Sequence, residues 1–138
     1  MLPINLVAVI IAAAAAFILG FLFHGPILGK LWMKLANIHP TGNEKFADMI
    51  PKMGWNLLVQ LITAFVLAVI YLFTSSSPYI GKGVGGGVVL GIWVWFGFLA
   101  TSSSIEVIWM GRSFKLWLYE AVCSLIVMAV MGAIIAAW

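Results

Sequence analysis

The chain has 138 residues, of which 64% are hydrophobic and 8% charged, and its mean hydropathy is +1.18. A soluble domain carries about 25% charged residues, so this composition excludes a water-soluble globule and a disordered chain. The net charge of +3 comes from scattered Lys and Arg residues with no basic run, which excludes a nucleic-acid-binding surface and marks them as membrane-topology signals.

A spanning helix needs about 20 apolar residues to cross the hydrocarbon layer. Three windows free of Asp, Glu, Lys and Arg, and a fourth interrupted only by Lys115 and Glu120, predict four of them, at about 5–23, 54–74, 84–108 and 114–137. The fold class expected is therefore all-α: one polytopic membrane domain over 1–138, folded as an antiparallel four-helix bundle. The first window competes with a signal peptide. No Lys or Arg precedes it, and its apolar run exceeds a usual signal core, so a spanning helix is expected. His24-Gly25-Pro26 ends it, because proline removes a backbone donor and disfavours helix before it.

The one long connection, 24–53, begins with Pro26 to Leu35. This stretch predicts a short amphipathic helix at the membrane interface, with Lys30 and Lys34 on one face. Lys30 is expected to snorkel to lipid phosphate and Trp32 to anchor at headgroup depth. Thr41-Gly42-Asn43-Glu44 fits a capping box, predicting a second short helix that ends before Pro51. Ser75 to Pro78 closes the second span. Gly111-Arg112-Ser113 turns the third directly into the fourth, which makes those two antiparallel neighbours.

Lys30, Lys34, Lys45, Lys52, Arg112 and Lys115 fall on one side of this topology and only Lys82 on the other. The Lys-rich side is expected to be cytoplasmic, with both termini outside or periplasmic, in a cell membrane.

Polar groups within spans are costly and mark function. Asn56, Gln60 and Thr63 share a face of the second span by their spacing. Glu106 lies about 9 Å before Arg112 and Glu120 about 12 Å beyond it, at 1.5 Å per residue. Depth alone predicts one polar or proton-binding pocket on the Lys-rich side, holding Glu120, Glu106, Gln60, Asn56 and His24. Each member also has a structural reading. Glu106 can pair with Arg112 or Lys115. Glu120 can tie the fourth span to Gln60 or Asn56, and those amides can tie helices together. Gly83, Gly87 and Gly91, spaced by four, mark a packing seam. They place the third span at the centre of the bundle or at a contact between copies.

Phe23-His24-Gly25-Pro26-Ile27-Leu28-Gly29-Lys30-Leu31-Trp32-Met33, Trp95 to Thr101, Gly111 to Leu116 and Met131 to Trp138 together resemble the membrane-protein family called domain of unknown function 1761. The resemblance covers nearly the whole chain. It implies four spans in a single domain and supplies no reaction. The family pattern usually has Tyr at His24, Asn or Asp near Glu120, and an acidic residue at Met110.

Two functions from different classes follow. One is a small oligomeric transporter or permeation protein, with Glu120 exchanging a proton for a cation or polar solute. The other is a non-catalytic membrane scaffold. No nucleophile–base pair, metal-ligand spacing or catalytic motif points to an enzyme. No cofactor or metal is expected; the expected partners are membrane lipid and further copies of the chain through the glycine-rich span.

Overall fold

In a computed structural model, residues 3–138 are described and form helices joined by turns, with no strand among them. Helix α1 spans Leu6–His24. Its start is capped by Asn5, whose side-chain oxygen accepts from the amides of Val7 and Ala8. A short α2, Gly29–Ala36, follows the Gly-Pro turn and ends on Asn37 in the left-handed region at φ 56°. Helix α3, Phe46–Thr74, is the longest. The third span is broken into α4 (Gly83–Val94), a π-helical segment (Trp95–Ala100) and α5 (Thr101–Met110). Helix α6 spans Phe114–Ala137. Four helices, counting the third span as one, are long and apolar enough to cross a membrane.

The spans match the expected windows closely, but the entry to the second does not. No separate helix stops before Pro51, because α3 runs from Phe46 straight through it. Only the reverse half of the capping box forms: Glu44 Oε1 accepts from the Thr41 amide at 2.8 Å and from its hydroxyl at 3.1 Å. Pro51 sits early in the helix on an exposed stretch, where water can satisfy the carbonyl of Ala47 that it leaves free.

The central helix is α6, not the glycine-rich third span. It packs against α1, α2, α3, α4, the π segment and α5, whereas α3 and α4 touch only slightly. The glycines are what allow this. A Cβ on Gly87 would overlap the Gly132 carbonyl oxygen, and one on Gly91 the Met128 carbonyl oxygen. Gly87 and Gly91 are thus used inside the chain, against α6. Gly83 instead opens α4 at φ +72°, a conformation that side chains resist, and faces open space.

The core lies toward the end that carries both termini. Ala12, Ala13, Ala16 and Ala64 are fully buried against Leu67, Leu90, Met128 and Met131. Lipid tails are as apolar as these side chains, so close van der Waals contact rather than transfer from water holds them. Alanine on α1 and glycine on α4 let the backbones approach closely enough for that contact.

Candidate functional site

At the other end the helices part. From Phe46 to Val59, only Met53 of α3 is even partly shielded. The space between α1, α3 and α6 is a cavity of 590 Å³, with α2 across its end through Trp32. A second cavity of 480 Å³ lies between the third span and α6. The single expected pocket is therefore two. His24, Asn56, Gln60 and Glu120 line the first; Glu106 lines the second; Glu120 and Ser124 belong to both.

Leu99, Glu120 and Ser124 form the wall common to the two cavities, and the last turn ties Glu120 of that wall to Glu106. Gly111 adopts φ +68°, and the Arg112 amide then donates back to the Glu106 carbonyl at 3.2 Å. Ser113 caps α6 by accepting from the Leu116 amide. Arg112 is thereby held between two antiparallel helices. Its Nη1 donates to Glu106 Oε2 and its Nη2 to Glu120 Oε2. Only a guanidinium has the planar fork to serve both carboxylates at once. The two carboxylates do converge, through an arginine. The side chains of Arg112, Glu106 and Glu120 are 28, 45 and 32% exposed, so the cluster is only partly covered by protein.

Two expected structural roles are corrected here. Glu120 bonds Arg112, not Gln60 or Asn56. Among the described residues, the Asn56 and Gln60 amides have no hydrogen-bond partner, so they do not tie helices together; α3 has moved too far from α6 on this side. Thr63, on the same face, satisfies itself by donating to the Val59 carbonyl at 2.9 Å. Trp32 is half-buried. Its ring meets His24 edge-on at 5.1 Å between centroids, and its indole N–H is shielded without a partner. Lys30 of α2 is exposed.

His24 closes the cavity from α1. Its Nδ1 donates to the Gly20 carbonyl at 3.0 Å, since a carbonyl can only accept. Tyr119, 6.2 Å away ring to ring, donates its hydroxyl to the Phe23 carbonyl at 2.6 Å. The Tyr119 bond fixes the end of α1 on α6.

Sequence reasoning did not anticipate the π segment. Its widened turn brings Trp95 onto α6, where the indole N–H reaches both the Ala121 carbonyl at 2.9 Å and Ser124 Oγ at 3.0 Å. Trp117 returns the contact from α6, donating to Ser103 Oγ at 2.9 Å. π-Helical turns cluster at functional sites, and this one borders the second cavity through Phe98 and Leu99. The signal available in the sequence was Gly97 with a run of serines beyond it, which reads equally as plain helix.

No group of three or more His, Cys, Asp or Glu side chains able to hold a metal occurs among the described residues. The family model described as a protein of unknown function, DUF1761, matches residues 7–136. No curated protein and no solved structure matches the chain.

Proposed function

The chain belongs to the DUF1761 family of unknown function, and on that premise we propose that it is a small-solute transporter or permeation protein of the cell membrane. The solute enters from the Arg112 end, which we take as cytoplasmic from its excess of Lys and Arg; both termini then lie outside. The observation that carries this reading is the position of Glu120. It sits on the wall common to both cavities, held by Arg112, opposite amides that have no protein partner. Polar groups left unmatched in a membrane interior are expensive, and a bound solute or water would match them. The sequence carries no catalytic motif, so the proposed action is binding and movement without bond chemistry.

Glu120 is proposed to hand a proton over as solute binds. In proteoliposomes, a solute gradient should then drive proton movement, and Glu120→Gln should reduce it at least tenfold. Proton flux unchanged by that substitution overturns the reading.

The closed terminal half gives a single copy no ready path, which supports a homo-oligomer as the working unit. Helix α4 turns Gly85, Val89 and Ile92 away from α6 and leaves them exposed. Native electrophoresis should show an oligomer that Gly85→Leu shifts to monomer. A monomeric unmodified protein contradicts this part.

A further inference from the structure

Resting on the reading of the larger cavity as a solute site, we propose that its ligand is an amphipathic organic monocation, with an apolar body between α1, α3 and α6 and a weakly hydrated cationic group against Glu120.

Charge sets the sign. Glu106 and Glu120 share one guanidinium, so once Glu120 has handed over its proton one negative charge is left uncompensated at the cavity wall. Arg112 reaches Oε2 of each, so Oε1 of Glu120 remains available. An anion would be repelled here, and the nitrogen atoms of Arg112 that could attract one are already turned to the carboxylates.

Shape and surface set the rest. Phe17, Phe21, Met53, Val127 and Met128 give the cavity an apolar wall, and its 590 Å³ falls in the range of small-molecule sites, about 300–1,000 Å³. A purely apolar tail would fill that wall but cover the Asn56 and Gln60 amides and the free Oε1 of Glu120 without bonding them, which is unfavourable for each polar group so covered. A small inorganic cation is strongly hydrated and needs several oxygen ligands, whereas this cavity offers one carboxylate and two amides, its Thr63 and Ser124 hydroxyls being already bonded to backbone carbonyls and, for Ser124, to Trp95. A quaternary ammonium or phosphonium group spreads its charge, sheds water readily and is attracted by aromatic faces. Only this class satisfies both the charged end and the apolar wall.

The test uses the full-length protein in detergent, with tetraphenylphosphonium as the cationic probe and triphenylphosphine oxide as its uncharged counterpart, each measured by equilibrium dialysis. Saturable binding of the cation is expected. Glu120→Gln should weaken it at least tenfold, with the neutral probe weak and unchanged. Val59→Trp, at an exposed lining position of α3 where a larger side chain does not disturb the core, should weaken it to a similar degree. Lys82→Gln, at the opposite end, should leave it as it was. Equal binding of the two probes, insensitivity to Glu120→Gln, or displacement of the probe by equimolar potassium would each overturn the ligand class. If that happens while Glu120-dependent proton flux persists, transport stands and only the ligand is wrong. If the cation binds as expected but no Glu120-dependent flux occurs, the ligand class stands and transport falls.

Discussion

The two halves of this bundle are made from the same four spans but are held differently. Toward the termini, glycine brings α4 into backbone contact with α6, alanine packs α1 closely on α3 and α6, and a 190 Å³ pocket lies at the rim. Toward Arg112, larger side chains and a splayed α3 leave cavities of 590 and 480 Å³, and cohesion comes from polar bonds: Arg112 to both glutamates, Trp95 to Ser124, Trp117 to Ser103 and Tyr119 to Phe23. The lesson is that residue size decides where a membrane bundle closes. Where it stays open, polar side chains replace packing as the tie.

The sharpest way to break this comparison is to put a side chain where only glycine fits. Gly87→Val meets the Gly132 backbone and should destabilise by about 3 kcal/mol or more, since backbone cannot yield as a side-chain tip can. Gly54→Ala meets nothing within 4 Å on the splayed part of α3 and should stabilise by about 0.5–1 kcal/mol through helix propensity. Unfolding titrations in mixed micelles read both, and equal effects would erase the distinction between the halves.

Polar cohesion comes next in size. Arg112→Gln strands two carboxylates and should cost about 1–2 kcal/mol, less than a fully buried pair because all three side chains are partly exposed. Adding Glu120→Gln should recover part of that loss, and strict additivity of the two changes would mean that the pair does not interact. Trp32→Phe should be neutral or stabilising by up to about 1 kcal/mol, because it removes an N–H shielded without a partner while keeping a ring against His24. A clear loss of stability would favour the headgroup-anchor role instead.

The smallest effect lies outside the bundle, at Glu44. The Thr41 amide that donates to its carboxylate, with its own amide, holds the Glu44 carboxyl below its ordinary range. A depressed folded-state value means the turn is favoured above the unfolded-state value and loses that support as pH falls through the folded one. Hydrogen exchange at the Thr41 amide should therefore speed up on acidification, and Glu44→Gln should flatten that dependence.

The spans were legible in the sequence because hydropathy and the Gly-Pro and Gly-Arg-Ser breaks act locally. So was the meeting of Glu106 with Arg112, since a tight turn brings residues six apart together. What the sequence withheld was rotation and tilt. Asn56 and Gln60 read as ties because depth arithmetic matches them to Glu120, but it does not contain the splay of α3. The glycine stripe marked close packing correctly and misplaced the centre, because a seam has two sides and the other side, Gly132 on α6, is the one every helix touches. Pro51 read as a stop because proline usually ends helices, yet on an exposed early turn water satisfies the carbonyl that it releases.

The central claim is that the half holding Glu120 opens to water from the Arg112 side and the terminal half does not. In a Cys123→Ala background, Gln60→Cys and Leu67→Cys place thiols about 10 Å apart along α3, at 1.5 Å per residue, one on the cavity and one in the core. A membrane-impermeant cationic methanethiosulfonate applied to that side should modify the first rapidly and the second at least a hundredfold more slowly. Equal rates at the two positions, or no reaction at Gln60→Cys, would contradict the account.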